Sequence, residues 1–462
     1  MSGGGGAGRV RSLLGLSSGS GRRREIVRLV VAVAVTAGVV VLVESLSGGH
    51  RAKVAKAGSG VTASRGAAAS TGAARAGEGA QPPSVGAHVG VAEGPAVARA
   101  LRTGEMTVVI DAPAAGAVDE QNRSIQAGAT VAVEELNAAG GLTGHIRVKL
   151  VTQSLDRLSA ASLQSRLRSE AAAVLILPCD TDSQLGLAAA AAQFGMLMLA
   201  PCNPDPTAGA RYPTYWPVGI PANVEAAGLA SALAAQGYRR VFIVNAPGTR
   251  SAEEVTADFR SAWEKGGLEV VGSTTLSPTT TDFSGVTHAI EAASPKPAAV
   301  FTALSPPAVN RLAGALRAQG LHQTLLGTSV MDTRLTLGSE SKALEGTTFT
   351  SYGFPRESAA AHRFAAHYRT REGHGPVGGF PALGLETVRL LQAAARKARS
   401  AKPSAIQRAL EGGLTLEGVG LEGRAYRPGG DHNPVSGVAI SRVSSGSLLE
   451  LLVTEPRKAL VP

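Results

Sequence analysis

The chain has 462 residues, enough for one large domain or two, and its hydrophobic content of 44% is ordinary for a globular protein. Only 4% of the residues are aromatic, so a core must be built mainly from Ala, Val and Leu. The net charge of +10 falls mostly before residue 106. Residues 106–462 carry 32 basic and 30 acidic side chains, which argues against nucleic-acid binding because that needs basic residues clustered on a folded face.

The first predicted element is an apolar segment near the N-terminus. Residues 1–28 carry six Arg and one Glu, and the fifteen residues 29–43 that follow are uncharged. Basic residues stay on the cytoplasmic side of a membrane, so 1–28 is predicted to be a basic cytoplasmic leader and 29–46 a transmembrane signal anchor. A cleaved signal peptide is the alternative, in which case the protein is secreted. Both interpretations place the remaining chain outside the cytoplasm.

Residues 49–105 are predicted to form a disordered linker. They are rich in Ala, Gly, Ser, Pro and Thr and contain no Phe, Trp or Tyr. Such a segment cannot bury enough apolar surface to offset the entropy cost of ordering it. The pattern changes at Met106, so the folded domain is predicted to span residues 106–455.

Strands and helices alternate from this point on. A β-branched run at 107–111 precedes a helical pattern at 121–139, which ends at Gly140-Gly141. Continuous apolar runs at 174–177 and 196–199 are typical of buried parallel strands. The same alternation resumes after Pro221, and three short strands follow near the C-terminus. The chain is therefore predicted to be α/β, with two doubly wound parallel sheets.

Several segments resemble, in order, the class I periplasmic binding proteins of ABC transporters, which include the leucine/isoleucine/valine-binding proteins. The clearest are AVEELNAAGGL at 132–142, CDTDSQ at 179–184, GMLMLAP at 195–201 and NPD at 203–205. The resemblance covers about residues 106–455 and depends on the ordered series rather than on any single segment.

The resemblance implies the type I periplasmic-binding-protein fold, in which two lobes are joined by three hinge crossings. We place the crossings near Gly219, Ser351 and Pro434. Lobe 1 is then 106–220 with 352–433, and lobe 2 is 221–351 with 434–455. The implied function is capture of a small polar solute, such as an amino acid or an amide, in the cleft between the lobes. The implied partner is an ABC permease in the membrane.

The resemblance also implies the ligand-binding positions. In the family, the loop after the third strand contacts a ligand carboxylate, and here that loop contains Asp180 and Thr181. Asp180 departs from the usual Ser and favours a cation, a polyol or an amide over a carboxylate, whereas Asp182 is the expected helix N-cap. Ser329 stands where the amino-acid binders carry a Glu for the ligand ammonium group. The other predicted ligand-binding residues are Asn203, Gln121, Arg250 or Ser251, and Ser305.

The two cysteines follow consecutive predicted strands. Neighbouring parallel strands bring Cys179 and Cys202 to about the distance that a disulfide needs, and an oxidising compartment favours the bond. Two buried free thiols are the alternative.

No sequence motif indicates an enzyme, a cofactor or a metal site. The pattern GLSSG at 15–19 matches a nucleophile elbow but lies in the basic leader, and GVGLEG at 418–423 matches a dinucleotide loop but no helix follows it. The ligand-sensing ectodomain of a membrane signalling complex remains the alternative to an importer subunit. A hydrolase on a similar scaffold is the least favoured interpretation.

Overall fold

The computed structural model describes residues 93–112, 119–353, 358–416 and 424–462, which belong to the unit Ser84–Pro462. The predicted leader at 1–28, the anchor at 29–46 and the linker up to residue 92 lie outside these ranges. Among the described residues, no helix is long and apolar enough to span a membrane.

The first sheet consists of five parallel strands in the order β2-β1-β3-β4-β5, and it forms the centre of lobe 1. Its strands are β1 (Glu105–Asp111), β2 (Arg147–Gln153), β3 (Ala172–Ile176), β4 (Leu197–Ala200) and β5 (Tyr215–Pro217). Its helices are α1 (Pro95–Arg102), α2 (Asp119–Ala138), α3 (Ala160–Ser169), α4 (Thr181–Ala192) and α5 (Ala208–Arg211). Strands β3 and β4 are buried throughout, because helices cover the sheet on both faces.

The second sheet has seven strands and forms the centre of lobe 2. Five parallel strands are β6 (Arg240–Asn245), β7 (Glu269–Thr275), β8 (Ala299–Thr302), β9 (Thr324–Gly327) and β10 (Thr348–Ser351). The antiparallel strands β13 (Val438–Ser444) and β14 (Ser447–Thr454) extend the sheet beyond β10. Its helices are α6 (Ala222–Ala235), α7 (Arg250–Lys265), α8 (Ser284–Ala292) and α9 (Ala308–Ala318). The second sheet is therefore mixed rather than wholly parallel.

The chain returns to lobe 1 between the two parts of lobe 2. This stretch contains α10 (Ala359–Glu372), α11 (Phe380–Ala398), α12 (Pro403–Glu411), and the hairpin strands β11 (Leu414–Leu416) and β12 (Arg424–Tyr426). Helix α11 packs against α2. The two backbones come so close that a Cβ on Gly128 would lie 2.0 Å from the carbonyl oxygen of Pro381. A Cβ on Gly384 would lie 2.0 Å from that of Ile125.

The chain passes between the sheets three times: between β5 and β6, between β10 and α10, and between β12 and β13. One buried apolar cluster contains side chains of both lobes, including Val218 and Ile220 at the first passage and Tyr352 at the second. The lobes therefore share apolar packing next to the connecting segments.

The predicted linker boundary at residue 105 is wrong, because helix α1 lies inside the predicted linker. Pro95 begins the helix, Val97 is buried in the apolar core, and Glu93 accepts a hydrogen bond from the Ser404 hydroxyl at 2.6 Å. The low aromatic content of residues 49–105 hid this short amphipathic pattern. The order of this segment comes from packing against lobe 1, which composition does not reveal.

Candidate functional site

A cavity lies between the two lobes, at the carboxyl ends of the parallel strands, where open α/β sheets bind ligands. Its volume is about 90 Å³, well below the roughly 300–1,000 Å³ of a drug-sized site, so it suits a small molecule. Lobe 1 contributes Gln121, Cys179, Asp180, Thr181, Cys202, Asn203, Pro204, Tyr352 and Phe380. Lobe 2 contributes Ala222, Glu225, Thr249, Ser251, Ala252, Val255, Ala303, Ser305, Thr328, Ser329 and Val330.

The disulfide between Cys179 and Cys202 joins the loops that follow β3 and β4. Its Cα atoms are 5.2 Å apart, so the predicted pairing is confirmed. Two further bonds fix the same loops: the Cys179 N–H donates to the Asn122 side chain at 2.9 Å, and the Gln184 side chain donates to the Cys202 carbonyl at 3.0 Å. The two loops that form the lobe 1 side of the cavity are therefore cross-linked to each other without a ligand.

The helix N-cap at this loop is Asp180 rather than the predicted Asp182. The Asp180 side chain accepts a hydrogen bond from the Ser183 N–H at 2.9 Å, while Asp182 is an exposed residue of the first turn of α4. Helix α4 begins at Thr181, two residues earlier than a cap at Asp182 would allow, and this places Asp180 at the N-cap. One Asp180 oxygen thus caps helix α4, and the residue also lines the cavity.

Asn203 lies where the first connecting segment leaves lobe 1. Its carbonyl accepts from the Ala222 N–H at 3.1 Å, so it touches the first residue of α6. Its side chain donates to Asn433 at 2.8 Å, close to the third connecting segment. Asn203 therefore links two of the three connections between the lobes at the edge of the cavity.

Of the predicted lobe 2 residues, Ser251, Ser305 and Ser329 line the cavity, whereas Arg250 does not. Arg250 is exposed and pairs with Glu254 one turn along α7 at 2.7 Å. Of the two alternatives considered for this loop, Ser251 is thus the one in the cavity. The lobe 1 predictions Gln121, Asp180, Thr181 and Asn203 also line it.

Glu225 is a cavity residue that the sequence analysis missed. It lies in the first turn of α6 and accepts from the Ser329 N–H at 2.7 Å, from the Ser329 hydroxyl at 3.2 Å and from the Thr350 hydroxyl. Burial raises the pKa of the Glu225 carboxyl, and these three hydrogen bonds act in the opposite direction. One signal in the sequence was available: Glu225 is the only charged residue in the apolar helix α6.

Several buried oxygens in the cavity lack a hydrogen-bond partner among the described residues. They are Thr181 Oγ1, Asn203 Oδ1 and Thr328 Oγ1, and the three residues are between 1% and 3% exposed. A buried polar atom without a partner costs about 1–3 kcal/mol. A polar ligand whose N–H or O–H groups reached these oxygens would offset that cost.

A second cavity of about 530 Å³ lies on lobe 2 between α7 and the ends of β6 and β7. Only lobe 2 residues line it, and none is a predicted site residue. It is more open than the cavity between the lobes, and motion of the lobes would not enclose it. The described residues contain no cluster of His, Cys, Asp and Glu that could hold a metal ion.

A family model described as periplasmic binding protein matches residues 106–447. The chain belongs to the periplasmic binding protein family. This confirms the resemblance stated from the sequence and the two-lobed α/β fold. The family consists of substrate-binding proteins, which agrees with the prediction of a non-enzyme, and it implies a location outside the cytoplasm.

Solved structures share the fold of this periplasmic binding protein. The branched-chain amino acid transporter substrate-binding protein LivJ from Streptococcus pneumoniae, in complex with isoleucine, is 18% identical with a TM-score of 0.67, covering 76% of this chain and 100% of that one. A solute-binding protein of an ABC transporter from R. palustris, in complex with benzoate, is 19% identical with a TM-score of 0.65, covering 77% and 99%. The leucine-binding protein LivK from Thermotoga maritima is 18% identical with a TM-score of 0.65, covering 76% and 99%. No curated protein sequence matches the chain.

Proposed function

We propose that this periplasmic binding protein captures a small polar solute outside the cytoplasm, closes its lobes around it and delivers it to an ABC permease. The observation that carries the proposal is the cavity between the lobes, to which both contribute buried oxygens without partners. Ligand contacts from both lobes favour the closed arrangement over an open one, because the ligand binds the closed form better. The proposed ligand contacts are Gln121, Asp180, Thr181, Asn203, Ser251, Ser305 and Ser329, with Glu225 added from the structure.

Membrane tethering through residues 29–46 is part of the same proposal. It is supported by the basic residues before the uncharged run and by the location that the family implies. Expression of the full chain in cells, followed by carbonate extraction of membranes, tests it. Release of the protein by carbonate would contradict an anchor and favour the cleaved signal peptide.

Thermal-shift screening of the purified full chain with amino acids, amides, polyols and amines tests solute capture. A solute at 100 times its dissociation constant stabilises the protein by about 2.7 kcal/mol. Small-angle scattering should then show a smaller radius of gyration with that solute bound. A stabilising solute that leaves the radius unchanged would contradict closure while leaving solute binding in place.

Uptake of the labelled solute by cells with and without the chain tests whether the protein delivers the solute to a permease. We expect uptake to require the chain. Binding in vitro without any effect on uptake would contradict the importer role and favour the sensing ectodomain.

A further inference from the structure

The charges in the cavity between the lobes are unbalanced. Two carboxylates line it, Asp180 on lobe 1 and Glu225 on lobe 2, and no Lys, Arg or His is among its described lining residues. We propose that the solute is a small organic cation that carries an amine or amidinium group and has no carboxylate directed at the start of α4. This inference rests on the proposed function and specifies the chemical class of its ligand.

Asp180 already supplies the negative charge at the start of α4. A helix N-terminus attracts anions because its first N–H groups are free and its dipole is positive at that end. Asp180 is the N-cap there, and its Oδ1 accepts the Ser183 N–H at 2.9 Å. A ligand carboxylate at this position would face a second carboxylate at close range. The other oxygen of Asp180 makes no hydrogen bond with a described residue and can accept from a ligand cation.

No Lys, Arg or His in the described part of the chain pairs with Glu225, which lies on the opposite side of the cavity. Its three hydrogen bonds all come from neutral donors on Ser329 and Thr350. A carboxylate removed from water in this way is stabilised strongly by an opposite charge, and Glu225 lines the cavity that a ligand can enter. An ammonium or amidinium group supplies that charge from the ligand.

The oxygens without partners favour a ligand that is rich in donors. Asn203 Oδ1 is an acceptor only, and the hydroxyl oxygens of Thr181 and Thr328 accept as readily as they donate. A primary ammonium has three N–H donors, which these oxygens and the two carboxylates can receive. The aromatic residues Tyr352 and Phe380 also line the cavity, and aromatic faces attract cations rather than anions.

Thermal shift and calorimetry on the purified full chain test the inference with four classes of probe. Putrescine and agmatine are cations without a carboxylate that carry N–H donors, leucine is a zwitterion, benzoate is an anion, and glycerol is neutral. We expect at least one cation to raise the melting temperature and to bind at least tenfold more tightly than leucine or benzoate. Binding of leucine, benzoate or glycerol with no response to any cation would overturn the cation inference and leave solute capture intact. No response to any class would count against solute capture itself, and so against both proposals.

Charge-neutralising variants test whether Asp180 and Glu225 are the residues that bind the cation. Glu225→Gln keeps an acceptor for Ser329, and Asp180→Asn keeps a side chain that caps helices well, so both should fold. Each should weaken cation binding at least about tenfold, which corresponds to about 1.4 kcal/mol and is modest for loss of a buried charge partner. Asp182→Asn is the matched control, because it removes the same charge from an exposed neighbour that does not line the cavity. Equal loss of affinity in all three variants would show a long-range charge effect and overturn the assignment to this cavity.

Discussion

Asp332 of lobe 2 accepts a hydrogen bond from the backbone N–H of Gly379 of lobe 1 at 2.7 Å. The same carboxyl oxygen accepts from the Ser351 hydroxyl at 2.5 Å, at the end of β10 where the chain leaves lobe 2. A Cβ on Gly378 would lie 1.9 Å from the Asp332 carbonyl oxygen, and Gly378 has a positive φ of 72°, so the contact depends on glycine. Asp332 thus joins the lobes beside their second connection.

Asp332 should make the stability of the protein depend on pH. Burial raises its pKa to about 7, the charges of Glu450 and Glu225 act in the same direction, and its two hydrogen bonds oppose them. The folded protein therefore holds this proton more tightly than the unfolded chain, whose Asp pKa is about 3.9. Stability should fall as the pH rises from about 4 to 7 and change little above that range.

The variant Asp332→Asn measures how much of the pH dependence of stability comes from Asp332. Asp111, whose pKa burial raises to about 6, and Glu225 contribute in the same direction, so the variant should reduce the fall rather than abolish it. We expect a reduction on the order of 3 kcal/mol in denaturant titrations at pH 5 and pH 8. The variant Asp182→Asn, which changes an exposed residue, should keep the pH dependence of stability seen in the wild type. An identical pH dependence in wild type and Asp332→Asn would exclude Asp332 as its source.

Binding of a cationic solute should strengthen as the pH rises. Burial raises the pKa of Glu225 and a cation beside the carboxyl lowers it, so cation binding is coupled to loss of the Glu225 proton. Tyr352 and Asp332 are the other titratable groups whose charges act near it, and Asp180 lines the same cavity. Affinity measured by calorimetry should therefore increase with pH, with proton release on binding.

Two variants identify the group responsible. Glu225→Gln should give weak binding with little pH dependence, whereas Asp332→Asn should retain most of the dependence. If Glu225→Gln retained the full pH dependence of cation affinity, the proton released on binding would come from another residue.

The close approach of α2 and α11 should make two glycines intolerant of alanine. Gly128→Ala and Gly384→Ala each place a Cβ about 2 Å from a backbone carbonyl oxygen that cannot move without shifting the helix. Overpacking of this kind costs about 1–3 kcal/mol or more. Gly186→Ala in α4 is the matched control, because nothing lies within 4 Å of its Cβ and alanine favours a helix by about 1 kcal/mol. Equal stability of the three variants in urea unfolding would refute the close approach.

Loss of the disulfide should reduce both stability and solute affinity. The sequence separation between Cys179 and Cys202 is 23, and closing a loop of that size stabilises a protein by about 3 kcal/mol in the chain-entropy model. The double variant Cys179→Ala with Cys202→Ala should lose about that much in denaturant unfolding, and its affinity should fall because two cavity loops are no longer cross-linked. Wild type treated with a reductant should behave similarly. An unchanged affinity with lowered stability would limit the bond to a structural role.

The sequence predicts the regular elements of this fold well because their apolar patterns are local. The buried strands β3 and β4 and the long helix α2 lie within a few residues of their predicted positions. Strand β5 was missed because it has three residues and ends in Pro217, and β10 was missed because Thr-Phe-Thr-Ser has little apolar content. Both strands are defined by their neighbours in the sheet rather than by their own composition.

The candidate site was harder to predict, because side-chain direction depends on how the two lobes meet. Ser251 and Arg250 are adjacent in sequence, yet only Ser251 lines the cavity. Ser329 lines the cavity, but the carboxylate beside it comes from Glu225, 104 positions earlier in the chain. Contacts over such a distance leave no periodic signal in the sequence.

The docking of α1 bears on the proposed tethering of the protein to a membrane. Glu93 and Val97 attach the start of the described chain to lobe 1, through Ser404 and the apolar core. If the proposed tether holds the chain at a membrane, any force along the preceding residues acts on lobe 1 and not directly on lobe 2. A permease in that membrane would then contact one lobe that is held in a fixed orientation. Only the position of the other lobe would differ between the empty and the ligand-bound protein.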